Sequence, residues 1–190
     1  MAVPKEKEKS LYTYADYKEW ELAPGERFEL IYGEAFAMAG PSVRHQGILT
    51  ELLGQFYVYL QGKPCKVLAA PCDVRLFYEE DENDDTVVQP DIFVVCDESK
   101  LGSESCRGAP DLVIEILSPS NTAVEMERKL KLYRQAGVKE YWVVDPENNG
   151  VTVYLFRDDK ITAATYGSAD TIPVFLFPGL NLGLEQVFAG

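Results

Sequence analysis

The run D-L-V-I-E-I-L at 111–117 sets a carboxylate inside an otherwise apolar strand. Five of its seven residues are Leu, Val or Ile, which fits a strand buried on both faces of a mixed or parallel sheet. An ionised Glu115 there costs several kcal/mol unless a cation or hydrogen-bond donors compensate it. Upstream, V-V-Q-P-D-I-F-V-V at 87–95 repeats the anomaly, with Pro90 and Asp91 interrupting a second hydrophobic run. Two carboxylates on two buried strands predict an acidic metal site.

The bulk properties bound what such a site can belong to. A chain of 190 residues with 46% hydrophobic content is long enough for a core and is read as one domain, 1–190. It has no apolar stretch long enough to cross a bilayer, and its charged N-terminus lacks the apolar segment of a secretion signal. A cytoplasmic protein is therefore expected. Cys65, Cys72, Cys96 and Cys106 show no C-x-x-C spacing and are expected to be reduced, partly buried thiols. A net charge of −13 argues against a protein that coats nucleic acid non-specifically, yet leaves room for an enzyme with a local basic rim. Much of the acid lies in E-E-D-E-N-D-D at 79–85, which lacks the spacing and central glycine of an EF-hand and reads as a solvated hairpin tip.

Local signals then order the chain. Thr13 and Asp16 open a short helix through Trp20. Apolar residues flank a Tyr32–Gly33 turn over 28–38, a hairpin pattern. Ile48, Leu52, Phe56 and Tyr59 share one face of a helix over 42–60, which Gly62 ends. Strands are expected at 66–70, 73–78, 87–95 and 111–117. Thr122 with Glu125 forms a capping box for a helix reaching Ala136, and Gly137 follows it. The strand at 141–146 completes a βαβ unit with parallel pairing, and 151–156 extends the sheet antiparallel. Short strands and turns are expected in the Pro- and Gly-containing tail.

On the helix after 111–117, Met126, Lys129, Tyr133 and Ala136 form one inward stripe, while Arg128, Lys131 and Arg134 point to water. A lysine aimed at a strand that carries a buried Glu either supports chemistry or closes a structural ion pair, and its stem could instead snorkel to solvent. With Asp91 the set becomes two carboxylates and a lysine. Magnesium is held by one or two carboxylates, waters and substrate phosphates, so the constellation suits metal-dependent phosphodiester hydrolysis.

At this point the residues carry a resemblance. P-D-I-F-V-V from Pro90, followed by E-I-L from Glu115, resembles the PD-(D/E)XK nuclease signature. E-L-I-Y-G-E, His45, V-V-Q-P-D, A-P-D-L-V-I-E-I-L-S-P-S, Lys129 with Tyr133, and A-G-V-K-E-Y-W-V-V-D-P resemble, over roughly 14–156, a family of bacterial proteins labelled restriction endonucleases and often of unknown function. The resemblance implies an α/β, restriction-endonuclease-like fold, a central mixed β-sheet flanked by helices. It implies that Asp91 and Glu115 bind Mg²⁺ or Mn²⁺. The usual lysine two residues after the Glu is replaced by Leu117, and Lys129 on the following helix is expected to take its place. Glu34, and after it Glu29, match acidic positions of the family's first hairpin, and either could complete the metal shell; Glu34 is placed in the catalytic set, while plain hairpin surface charge is slightly favoured for Glu29. His45 is read either as a cap or core partner or as a substrate- or metal-contacting residue. Asp73 is paired with Arg75, Asp111 and Asp145 are read as turn caps, Ser118 and Ser120 as neighbours of the site, and Tyr133 and Trp142 as core. The leading expectation is a Mg²⁺- or Mn²⁺-dependent DNA endonuclease, acting as a homodimer if both strands are cut. Against it stand a nuclease-fold interaction module that no longer cleaves and a metal-free hydrolase, the latter disfavoured by a cation that would keep both carboxylates ionised.

Overall fold

The protein is described by a computed structural model over residues 11–158 and 160–189. The chain runs α1 (Tyr14–Lys18), β1 (Phe28–Ile31), β2 (Glu34–Ala37), α2 (Val43–Leu60), β3 (Lys66–Ala69), β4 (Asp73–Arg75), β5 (Val87–Val88), β6 (Ile92–Val95), β7 (Ser105–Arg107) and β8 (Leu112–Ile116). It continues through α3 (Ala123–Ala136), β9 (Glu140–Asp145), β10 (Gly150–Arg157), β11 (Lys160–Gly167), β12 (Thr171–Pro173), β13 (Asn181–Gly183) and α4 (Leu184–Phe188). Tyr32 and Gly33 both take positive φ, 51° and 79°, which closes the β1–β2 hairpin with a two-residue turn of the hand that suits twisted strands. The capping box at Thr122 and Glu125 opens α3, and Gly137 closes it at a φ of 94° that an L side chain resists.

A six-stranded mixed sheet runs in the order β11-β10-β9-β8-β6-β3. β8 and β9 pair in parallel through α3, as a βαβ unit requires, and the other neighbours are antiparallel. A five-stranded sheet in the order β2-β1-β5-β4-β7 lies beside it. The expected strand at 87–95 is two: β5 belongs to the smaller sheet and β6 to the larger. Pro90 has no N–H to lend a ladder, so the Gln89–Pro90 link carries the chain from one sheet to the other. Asp91 emerges at the mouth of β6.

Alternation sorts the core. Ile92, Val94, Leu112, Ile114 and Trp142 pack with Leu52 and Phe56 of α2 and Leu184 of α4. Phe93, Val95, Val113 and Tyr141 face the other way, toward Leu132 and Tyr133 of α3 and Val74 and Val88 of the smaller sheet. Glu115 shares its face with Val113, and therefore looks toward α3.

Three further expectations are corrected. Cys65 and Cys96 are joined in a disulfide, while Cys72 and Cys106 are free. Lys66 pairs with Val95, so the preceding and following cysteines stand directly opposite, with Cα atoms 3.9 Å apart. Arg75 pairs with fully buried Asp84, at the end of the acidic loop, and not with Asp73, which accepts hydrogen bonds from Tyr17 and Gln89. The loop is thus solvated at its tip but anchored by an interior ion pair. Among the described residues, no helix is long and apolar enough to cross a membrane.

Candidate active site

The site begins with strand register. Ile92 pairs with Ile114 and Phe93 with Val113, so Asp91 falls opposite Glu115 on the same face of neighbouring strands. Asp91 Oδ2 accepts a hydrogen bond from the Ile116 N–H at 2.7 Å and lies 3.2 Å from His45 Nε2. Glu115 Oε1 accepts from Lys129 Nζ at 2.9 Å and from the Tyr133 hydroxyl at 2.5 Å. Lys129 Nζ also reaches Glu29, 3.0 Å away, whose Oε1 accepts the Gln89 N–H at 3.1 Å. The inward stripe of α3 explains the lysine: Lys129 and Tyr133 are buried, whereas Lys131 is exposed and pairs with Glu127 on its own helix.

His45 arrives from α2, whose first turn is capped when Ser42 accepts the His45 N–H. Its ring is largely buried, and Nδ1 has no hydrogen-bond partner among the described residues. Burial opposes protonation of this imidazole, but the hydrogen bond and charge of Asp91 outweigh it and raise its pKa. For Lys129 burial likewise disfavours charge, yet the Glu115 and Glu29 carboxylates keep it protonated. Burial and the Glu115 charge push the Tyr133 hydroxyl up, so it acts as a donor. Burial pushes the Glu115 carboxyl up to about 7 despite the pull of Lys129, with Glu29 and Asp91 adding to the rise.

Asp91, Glu115, Lys129 and His45 are brought together; Glu34 is not. Glu34 stands exposed at the turn end of the hairpin, opposite Ile31. Glu29, two cross-strand pairs further from the turn, is the hairpin carboxylate that enters the cluster, so the ranking of these two acids is reversed. Two residues at a strand's rise, about 7 Å, separate the two positions. Sequence reasoning also assigned Tyr133 to the core alone. It does pack there, but its hydroxyl holds Glu115, and its place one turn after Lys129 on the same stripe was the available signal. Asp111 accepts from the Cys96 N–H and from Lys139, and Asp145 caps the turn after β9. Ser118 and Ser120 hydrogen-bond each other at 2.8 Å beside the cleft.

A cleft of about 440 Å³ opens over the cluster, with Arg27, Asn121 and Glu125 among its walls. Asp91 and Glu115 both line it, and their other oxygens, Oδ1 and Oε2, accept no hydrogen bond among the described residues. Their partner oxygens are fixed by backbone and side-chain donors, so each carboxylate is oriented with one oxygen left over. Among the described residues there is no cluster of three or more His, Cys, Asp or Glu side chains that could hold a metal ion. A closed all-protein metal cage is thus not formed; the two carboxylates could hold a hard cation only together with water and substrate oxygens.

Family membership is decided by a match across nearly this whole arrangement. The sequence model of the Uma2 family, described as "Putative restriction endonuclease", matches residues 14–185. The chain belongs to the Uma2 family. A similar chain is an uncharacterized protein of Synechocystis, 26% identical over 177 residues, covering 92% of this chain and 90% of that one. The crystal structure of "a putative nuclease belonging to DUF820" from Anabaena variabilis superposes with a TM-score of 0.74 at 20% identity, over 94% of this chain and 98% of that one. At that identity the likeness is one of fold, and the fold of this Uma2 chain is restriction-endonuclease-like.

Proposed function

We propose that this Uma2 protein is a metal-dependent endonuclease that hydrolyses DNA phosphodiester bonds. The observation that carries the reading is the cross-strand pair Asp91 and Glu115, each with one free oxygen, beside a buried lysine in an open cleft. Asp91 and Glu115 would hold Mg²⁺ or Mn²⁺, which when bound lowers the pKa of a water and offsets charge on the phosphate. Ile116 N–H and His45 fix the Asp91 carboxylate, while Tyr133 fixes Glu115. Lys129 keeps a permanent positive charge next to the reacting phosphate and is itself positioned by Glu29. Arg27 gives the cleft wall a second cation for the DNA backbone.

One observation favours a second reading. Lys129 is buried and both its carboxylate contacts are made within the protein, as in a structural clamp of a module that binds without cutting. Cleavage of plasmid and single-stranded DNA in Mg²⁺ or Mn²⁺ separates the two. Wild type should cut, and Asp91→Ala or Glu115→Ala should abolish cutting. Lys129→Ala should reduce turnover more than metal affinity, and Lys131→Ala should do little, since Lys131 faces solvent. Full activity in either carboxylate variant would discard this site, and metal binding without cleavage of any of these substrates would favour the module.

A further inference from the structure

The larger sheet ends on β11, and apart from Lys160 at its start β11 lacks the devices that normally protect an edge. It follows β10 through eight continuous pairs, from Lys160 opposite Arg157 to Gly167 opposite Gly150. Its sequence, K-I-T-A-A-T-Y-G, has no proline and no acidic residue, and every position except half-buried Tyr166 is exposed. Edge strands are commonly shortened, bulged, charged or covered because their free backbone groups invite another strand. Two residues separate the closing pair Arg157 and Lys160, so the even-numbered residues of β11 bond to β10 and the odd ones turn outward. The N–H and C=O groups of Ile161, Ala163 and Thr165 thus face away from the sheet. Among the described residues nothing outside the ladder takes them up, whereas those of Gly167 are engaged by Asp170 at 2.7 and 2.9 Å.

We propose that β11 pairs antiparallel with β11 of a second copy about a two-fold axis, joining the two larger sheets into one. Outward groups meet only when residues of the same parity stand opposite. With Gly167 already engaged, the register that satisfies the rest places Ala163 opposite itself and Ile161 opposite Thr165. The small alanine methyls sit at the axis, where a bulky side chain would meet its own copy. The same register lays Lys160 opposite Tyr166, next to the turn where the Asp170 carboxylate is held by the Gly167 N–H. A cation at one end of the strand therefore meets an anion at the other end of its copy, twice over. A net charge of −13 opposes contact between copies over most of the surface, and an acid-free strand is where that opposition is least. Pairing also covers Ile161, which is 41% exposed. An isologous contact of this kind closes at two copies and leaves no free edge on β11. The inference is independent of what the cleft does.

Light scattering on the full chain, 21.3 kDa, tests it. Wild type should run at twice the chain mass. Ala163→Glu and Ala163→Lys should each halve it, because each sets like charges face to face at the axis. An equimolar mixture of the two variants should return to the doubled mass, because only in this register does position 163 meet itself, and that recovery also shows that both variants fold. A wild-type monomer, a dimeric Ala163→Glu protein, or a mixture that stays monomeric would each overturn the proposal.

Discussion

Glu115 carries conflicting demands: it is buried, it accepts hydrogen bonds from Lys129 and Tyr133, and it neighbours two other acids. Its carboxyl sits at about 7 against an ordinary 4.5, chiefly through burial. Between those values the folded protein holds a proton that the unfolded chain has released. The stability that Glu115 contributes is therefore complete below about 4.5 and is lost as pH rises to about 7. Urea denaturation of metal-free protein, wild type beside Glu115→Gln, isolates the effect. Wild type should lose stability relative to the glutamine variant across that window and hold steady above it, whereas a constant difference would show that Glu115 is ionised throughout. The same residue shows how far sequence could reach. Its burial and its partner Lys129 follow from strand and helix periodicity. The choice of Glu29 over Glu34 does not, because it depends on which end of the first hairpin meets the rest of the protein. That is set by remote contacts with the 85–89 segment, among them the pairing of Leu30 with Val87 and the hydrogen bond from the Gly33 N–H to the Asp85 carbonyl.

Elements were legible where their signals are local. The capping box and left-handed glycine bound α3, and the βαβ unit follows from its length. The Gln89–Pro90 crossing was not legible, since a hydrophobic run broken once looks the same whether it stays in one sheet or passes between two. The Cys65–Cys96 bond was hidden for a related reason: the β3–β6 register that sets the two cysteines opposite joins segments 31 residues apart. Closing a loop of that length removes unfolded-state entropy worth about 3–4 kcal/mol. Reduction should lower the urea-unfolding free energy by about that much while far-ultraviolet circular dichroism in the absence of urea stays unchanged. An unaltered transition would mean that the bond adds nothing to the ladder it closes.

The charge of the whole molecule bears on how it would meet DNA. A net charge of −13 repels phosphates at long range, and the cleft repeats the sign, with Glu29, Asp91, Glu115 and Glu125 against Arg27 and Lys129. Under the proposed function, a divalent cation would serve the approach of DNA as well as the chemistry. Fluorescence anisotropy with labelled duplex should show negligible binding in EDTA and clear binding in Ca²⁺, which takes oxygen ligands as Mg²⁺ does. Equal binding in both would place the DNA contact elsewhere. The spread of the site along the chain has a further consequence. Glu29, Asp91, Glu115 and Lys129 leave the ribosome in that order, a hundred residues from first to last. A nascent chain therefore carries Glu29 and Glu115 before the cation that bridges them. A polypeptide terminated ahead of α3 would be born unarmed, even with both strands of the cleft already made.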